Sequence, residues 1–191
     1  LITLYQCVDI IVKHELAKEK ITGNKYKQYL LYRPNDNDVE RLKAYVFNVF
    51  ESFKNNIDDI RNYVASEKTN KAASYRNSNG GNLLFRPIAI TEFFAAANIL
   101  IDRKAYSVDE VFKTLNGIVF DINAYPWKGL VWDGSKIINR ASKQVIKLLI
   151  VHMVDADCLT PQEKKKLLEG YCSSLNITEG EAQVILESLM K

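Results

Sequence analysis

Residues 36–64 read DNDVERLKAYVFNVFESFKNNIDDIRNYV, and this stretch decides the fold class. Apolar residues recur in it at steps of three and four, the spacing of one face of an α-helix. The spacing predicts one long helix of about seven turns, capped at Asp36 or Asp38. Tyr45 and Phe50 widen its apolar face, which we expect to pack in the core. That face consists of Val39, Leu42, Val46, Val49, Phe53, Ile57, Ile60 and Val64.

Helical signals continue on both sides of this stretch. Residues 88–102 are largely apolar and predict a second helix, and residues 139–155 predict an amphipathic helix that Asn139 caps. Together these signals predict a mainly α, compact domain of about seven or eight helices, one of them long. The predicted N-terminal caps are Thr3-x-x-Gln6, Ser107-x-x-Glu110, Thr160-Pro161-Gln162-Glu163 and Thr178-x-x-Glu181.

Two stretches lack helical periodicity. Residues 66–82 are rich in Asn, Ser, Gly and Lys and predict a flexible loop, which the short extended piece 83–85 follows. Residues 121–135 are the least helical region, and Asp133-Gly134 is a strong signal for a tight turn. We therefore expect a small β-hairpin or an extended segment near 125–138.

The composition indicates a single helical domain over residues 1–191. The sequence is 47% hydrophobic, so the chain can bury a core, and it has no apolar run long enough for a membrane span. It starts at Leu1 without an initiator methionine, inside a predicted helix, and we expect a fragment of a longer protein. The odd cysteine count favours the cytoplasm, with Cys7, Cys158 and Cys172 as small core residues.

Residues that could carry catalysis are few. The two histidines are His14, expected at the surface, and His152, expected as a satisfied core residue. The spacing of Cys and His does not suit zinc, and Gly80-Gly81 lacks the Lys-Ser/Thr of a phosphate-binding loop. We find no complete active site and expect no metal and no cofactor. An enzyme would need groups from a part of the protein outside this sequence.

The net charge of +3 conceals two basic segments. Residues 66–86 carry four basic groups against one glutamate, and residues 125–154 carry five against one aspartate. Such segments can neutralise phosphates, and Tyr75, Trp127 and Trp132 could stack on bases. Alternatively, the charges are solvated faces and the tryptophans are core anchors. The candidate nucleic-acid-binding residues are Lys68, Lys71, Arg76, Arg86, Lys128, Lys136, Arg140, Lys143 and Lys147.

Two motifs resemble those of a known family. Residues 82–88 read NLLFRPI and lead into an apolar helix, and residues 126–132 read PWKGLVW and precede Lys136-Ile137-Ile138 and a helix. Both resemble the latter half of DGQHR-domain proteins, a group that includes the DndB proteins linked to bacterial phosphorothioate modification of DNA. The resemblance covers residues 83–153. The Asp-Gly-Gln-His-Arg signature is absent, since Ser135 follows Asp133-Gly134.

The resemblance implies a DNA-associated accessory or transcription-regulatory domain of a DNA-modification system, without catalysis of its own. Its implied partners are DNA and other proteins of that system. Lys136, Arg140, Lys143 and Lys147 would then line one basic surface, with the 66–86 loop nearby. The alternative is a helical interaction or oligomerisation module without nucleic-acid contact, in which the 39–64 face meets a partner or a second copy.

Overall fold

The computed structural model describes residues 1–32, 34–67, 69–138 and 142–190, and it confirms the mainly α fold. Within these ranges the chain forms ten α-helices and two 3-10 helices, and its β-structure is limited to isolated bridges. None of the described helices combines the length and the apolar character needed to cross a membrane. The α-helices are α1 (Ile2–Lys18), α2 (Gly23–Leu31), α3 (Asp36–Asn56), α4 (Asp58–Ala65), α5 (Lys71–Tyr75), α6 (Pro87–Lys104), α7 (Val108–Leu115), α8 (Lys143–Asp155), α9 (Pro161–Leu175) and α10 (Glu179–Ser188), and the 3-10 helices are Leu83–Phe85 and Ala156–Cys158.

Helix α6 lies at the centre of the fold and packs against α1, α7 and α8. It begins at Pro87, because a proline in the first turn has no N–H that needs a partner. Its Ala96 and Ala97 are buried, and such small side chains allow neighbouring helices to come close. The helix ends at Lys104, where Ala105 turns into the left-handed region with a φ of 53°.

An aromatic cluster joins α6 to α3 and α7. Phe93 and Phe94 of α6 meet Phe53 of α3 and Phe112 of α7, with ring centroids 5.1 to 6.2 Å apart. All four rings are buried. Tilted and edge-to-face pairs at such distances add to the stabilisation from burial itself. The apolar face predicted for residues 39–64 is therefore largely part of the chain's own core.

The long helix predicted over residues 36–64 is in fact two helices, and that prediction is wrong at Ile57. Ile57 is fully buried and has an extended backbone, with φ −100° and ψ 112°. The side chain of Asn116 then caps the next helix: its Oδ1 accepts from the Asp58 N–H at 2.9 Å, and its Nδ2 donates to the Asp58 carboxylate at 3.0 Å. A side chain distant in the sequence therefore satisfies the free N–H group at the start of α4. At the other end, the cap of α3 is Asn35, one residue before the predicted Asp36.

Helix α1 begins earlier than the sequence predicts. Its N-cap is Leu1, and Thr3 is already helical, so the capping box predicted at Thr3 is wrong. A side chain caps a helix only where its own backbone is extended. The buried face of α1 includes Cys7 and Ile11, whereas Leu4 is 53% exposed.

A small second apolar cluster lies apart from the main core. It contains the buried residues Leu16 of α1, Tyr26 of α2 and Leu42 of α3. Tyr26 is the buried residue of α2, and its hydroxyl donates to the Asp9 carboxylate at 2.5 Å. Burial and this carboxylate both raise the pKa of Tyr26. Thr22, the N-cap of α2, forms no side-chain capping bond.

Residues 66–86 contain more regular structure than the predicted loop. The short helix α5 interrupts the segment, and residues 83–85 form a 3-10 helix where an extended piece is predicted. Asn82 caps this 3-10 helix through its Oδ1, which accepts from the Leu84 N–H at 2.8 Å. The local cap favours a tight turn over an extended strand.

Residues 121–135 are non-helical, as predicted, but the hairpin predicted near 125–138 is reduced to isolated bridges. Trp132 pairs with Ile137 in an antiparallel bridge, and Asp133-Gly134 forms the turn between them. The Asp133 carboxylate accepts from the N–H groups of Ser135 and Lys136, each at 2.8 Å. These bonds close the turn and lower the pKa of Asp133.

The remaining predicted helix starts are confirmed, except that of α8. Each capping side chain accepts from the backbone N–H three residues on, and the glutamate at that position accepts from the cap backbone in return. The predicted cap of α8, Asn139, lies outside the described residues, and the helix is capped by Ser142 instead. The confirmed boxes pair Ser107 with Glu110, Thr160 with Glu163, and Thr178 with Glu181.

The cysteines and His152 take structural positions. Cys7 and Cys158 are buried and Cys172 is half-buried, so the prediction of core residues holds for the first two. Burial raises the pKa of the Cys7 thiol to about 11. His152 is buried in α8, and its Nε2 donates to the Leu186 carbonyl of α10 at 2.8 Å. The predicted core position is thus confirmed, but the ring is satisfied at only one nitrogen, since its buried Nδ1 has no partner among the described residues.

The Glu163 carboxylate couples the start of α9 to α6, and this coupling predicts a pH dependence of stability. Arg103 donates to both of its oxygens, at 2.5 and 3.0 Å, and Thr160 donates to it as well. The Arg103 bonds are the main reason that the pKa of Glu163 falls to about 2, from an ordinary 4.5. The folded state therefore binds fewer protons than the unfolded state between pH 2 and 4.5, and stability falls as pH drops through this window.

We expect Glu163→Gln to lower the free energy of unfolding at pH 6 by about 1–2 kcal/mol, because glutamine retains the cap but not the charge. Urea unfolding at pH 6, 4 and 3 would show a flatter pH profile for this variant than for the parent. Glu181→Gln is the matched control, a capping box whose carboxylate has no arginine partner in the described residues. Equal pH profiles for the parent and Glu163→Gln would contradict the assignment.

Candidate nucleic-acid interface

The basic residues of the first segment make contacts within the chain. Lys71 Nζ donates to the Ser66 carbonyl at 3.1 Å and lies 4.9 Å from the centroid of the Tyr63 ring. Arg76 is exposed, and its Nε donates to the Phe85 carbonyl at 2.6 Å. Both side chains bind backbone carbonyls within the 66–86 segment, and Lys71 also holds it against Tyr63 of α4. Their freedom to follow a phosphate backbone is correspondingly small.

Arg86 connects the two basic segments. Its Nη2 donates to the Gly80 carbonyl, and its guanidinium lies 6.0 Å from the centroid of the Trp132 ring. A guanidinium over an indole face is a favourable cation–π contact. The 66–86 segment is thus adjacent to the turn around Trp132.

The two tryptophans proposed for base stacking are not available for it. Trp127 is fully buried, and its Nε1 donates to the Val119 carbonyl at 2.6 Å. Trp132 is 4% exposed, so the prediction that these two rings stack on bases is wrong, and both tryptophans are core anchors. Tyr75 is half-buried, and one face of its ring is stacked on Phe85 at 4.2 Å.

The second segment presents its lysines to solvent. Lys128, Lys136 and Lys143 are exposed, and Lys147 is half-buried one turn beyond Lys143 on α8. Burial raises the pKa of Glu92, and the positive charges of Lys147 and Lys143 partly offset that rise. The two lysines therefore lie near the Glu92 carboxylate. The candidates Lys68 and Arg140 lie outside the described residues.

Backbone bridges bring two of these lysines into one turn. Lys128 forms a bridge with Trp132, which in turn bridges to Ile137, the neighbour of Lys136. The lysine ion pairs of the described residues lie elsewhere, for example at Lys164 and Lys165. Asp133 lies in the same turn, and its carboxylate interacts with the Lys136 charge, so the turn carries two lysines against one carboxylate.

A polar groove beside the 75–82 loop was not predicted from the sequence. It has a volume of about 770 Å³, and Asp58, Asp59 and Asp121 line it with five asparagines and Tyr75. Its negative charge disfavours a phosphate backbone in this groove. The concentration of asparagine in residues 77–82 was the available signal, but the aspartates come from distant positions. The asparagines are Asn77, Asn79, Asn82, Asn116 and Asn123.

His14 is buried, and its predicted surface position is wrong. It lies between Asp102 of α6, whose Oδ1 is 2.9 Å from its Nε2, and Tyr45 of α3, whose hydroxyl is 3.3 Å from its Nδ1. The order carboxylate, imidazole, hydroxyl resembles a catalytic triad in form. Burial raises the pKa of Tyr45, which keeps the hydroxyl protonated and makes it a poor nucleophile. We interpret the three residues as a polar link between α1, α3 and α6.

Over the described ranges, His, Cys, Asp and Glu do not form a cluster of three or more that could hold a metal ion. Two carboxylates of the polar groove are bound instead to asparagine side chains: Asn82 Nδ2 donates to Asp59 at 2.5 Å, and Asn116 Nδ2 donates to Asp58 at 3.0 Å. No protein-family model, curated protein or solved structure matches the chain significantly.

Proposed function

We propose that this chain is a DNA-associated accessory or regulatory domain of a bacterial, cytoplasmic DNA-modification system, and that it does not itself catalyse a reaction. The observation that carries the proposal is the exposure of Lys128, Lys136 and Lys143, which form no ion pair within the described part of the chain. The resemblance of residues 83–153 to DGQHR-domain proteins supports the DNA-modification setting.

The proposed contact is with phosphates and not with bases. Lysines act as point charges toward phosphates and release counterions when they bind. With the tryptophans buried and Arg86 held over Trp132, lysine–phosphate contacts are the contribution that this surface can make. Four such contacts, with Lys147 included, correspond to a slope of about −3 to −4 for log K against log salt concentration. The binding would be weakly selective for sequence.

Reversing three of these charges should abolish most of the affinity. We expect Lys128→Glu/Lys136→Glu/Lys143→Glu to weaken duplex-DNA binding at least about tenfold at low salt and to flatten the salt slope by about 3. Fluorescence anisotropy with a labelled duplex at several salt concentrations measures both quantities.

The matched control is Lys25→Glu/Lys113→Glu/Lys166→Glu, because these lysines are also exposed and lie on α2, α7 and α9, outside the two basic segments. It produces the same change in net charge at positions that the proposal does not use. An equal loss of affinity in both triple variants would reduce the effect to overall charge and overturn the proposed surface. Absent or salt-independent binding by the parent chain would overturn the function.

A second candidate function is a helical interaction or oligomerisation module. The face of residues 39–64 is a poor interface, since Val49, Phe53 and Ile57 are buried in the core. Exposed apolar side chains outside that face favour this function: Tyr5 of α1 and Leu31 at the end of α2 are 69% and 79% exposed. Light scattering on the purified chain would then give a mass above the 21.8 kDa of one chain.

A further inference from the structure

Arg76 and Arg86 lie close together without a carboxylate between them. Arg76 donates to the carbonyl of Phe85, the residue directly before Arg86. Burial lowers the pKa of Arg86, and the positive charge of Arg76 lowers it further. The arginine–carboxylate pairs of the described residues are formed by other arginines, Arg41, Arg61 and Arg103. Two like charges held side by side favour a bound anion.

Arg86 also has a donor without an acceptor. Its Nη2 is bonded to the Gly80 carbonyl, but its Nε is buried and has no partner in the described chain. A buried, unsatisfied N–H of a charged group carries a desolvation cost, so the chain's own contacts leave the hydrogen-bonding capacity of this guanidinium unfilled. The contacts with Gly80 and Trp132 hold the guanidinium in place before any ligand arrives.

Both arginines line a groove whose other walls are mostly apolar. The groove lies between α4 and the start of α6 and has a volume of about 340 Å³, which is within the range of small-molecule sites. Tyr63 and Phe85 form an edge-to-face pair in its wall, with ring centroids 4.9 Å apart. The aliphatic residues of its wall are Ile60, Val64, Leu84, Pro87 and Ile90.

We propose that this groove binds a small carboxylate with an apolar body, whose carboxylate lies against Arg76 and Arg86 and whose apolar part lies along α4 and Pro87. A planar carboxylate has two oxygens and can accept from both guanidinium groups. The groove wall offers apolar contact but few polar groups, so a sugar or a bare inorganic anion fits it less well. This site is independent of the lysines proposed to contact DNA.

A series of linear carboxylates tests both halves of the proposal. Isothermal titration calorimetry with acetate, butanoate, hexanoate and octanoate should show an affinity that rises about fourfold for each added methylene until the groove is filled. Octanamide, which has the apolar body but not the charge, should bind at least about tenfold more weakly than octanoate. In ¹⁵N-resolved NMR spectra the Arg86 Nε–H signal should shift with octanoate.

Two variants address the two parts of the groove separately. Arg76→Gln should weaken octanoate binding about tenfold or more, because one charged donor is lost. Val64→Trp should remove the dependence on chain length, because Val64 is 54% exposed at the groove and a larger side chain would fill it. Lys113→Gln is the control for the charge lost in Arg76→Gln. Val184→Trp is the control for the bulk added in Val64→Trp, because Val184 lies on α10 and is 68% exposed.

The proposal is overturned if acetate binds as tightly as octanoate, if octanamide matches octanoate, or if Arg76→Gln leaves octanoate binding unchanged. Duplex-DNA binding is measured on the same variants. A loss of DNA affinity in Arg76→Gln, with no octanoate binding by the parent, would assign the arginine pair to the DNA surface and also overturn the proposal. Octanoate binding without DNA binding would support this site and contradict the proposed function.

Discussion

Replacing Gly81 with alanine is expected to lower the free energy of unfolding by about 3 kcal/mol. Gly81 has a φ of +81°, and a Cβ at this position would overlap the backbone carbonyl of Tyr75. That carbonyl accepts from the Asn82 N–H at 2.9 Å, and the Gly81 carbonyl accepts from the Ile122 N–H at 2.9 Å. The new methyl group would therefore separate the Tyr75–Asn82 backbone pair within the 66–86 segment and disturb the neighbouring pair that joins this segment to Ile122.

Gly180→Ala is the matched control for this substitution. Gly180 lies in helix α10, and a Cβ there meets no atom within 4 Å. Alanine in a helix is expected to be neutral or stabilising by up to about 1 kcal/mol. Urea unfolding followed by circular dichroism gives both free energies. Similar values for the two variants would show that the backbone approach at Gly81 is not tight.

Trp127→Ala should have an even larger effect, a loss of about 4 kcal/mol, because the side chain is fully buried. A finer comparison separates the indole hydrogen bond from the packing. Trp127 Nε1 donates to the Val119 carbonyl at 2.6 Å, whereas the Nε1 of Trp132 is buried and has no partner in the described residues. Trp127→Phe should therefore cost about 1 kcal/mol more than Trp132→Phe.

Chemical denaturation of the three tryptophan variants measures these differences. Trp132→Phe is the natural reference, since both rings are buried and both substitutions remove a similar volume. If Trp132→Phe proved more destabilising than Trp127→Phe, then contacts of the Trp132 ring, including that with Arg86, would outweigh the hydrogen bond to Val119.

The parts of the fold that the sequence could predict are those that depend on neighbouring residues. The capping boxes at Ser107, Thr160 and Thr178 involve groups three residues apart, so the sequence alone reveals them. The break at Ile57 depends on Asn116, which is 58 positions from the Asp58 that it caps. The apolar period of residues 36–64 continues across the break and therefore does not reveal it.

The candidate site shows the same limit. Counting charges located both basic segments, but it could not show that Arg86 would be held by Gly80 and Trp132. It also could not show that Lys147 would lie near Glu92 of α6. The burial of His14 follows from Asp102, which is 88 residues away. Such pairings are set by the packing of α6 and are not encoded in any local motif.

Because of the small second cluster around Tyr26, helix α2 and the main core should differ in the free energy needed to open them. Helix α2 is held there mainly by the contacts of Tyr26 with Leu16, Leu42 and Asp9, and not by the aromatic core. Its N-terminus lacks a side-chain cap. The free energy needed to open α2 is thus set by a few local contacts, and this helix can detach in a partial unfolding event that leaves the rest of the molecule folded. Its amide protons would then exchange with solvent without global unfolding.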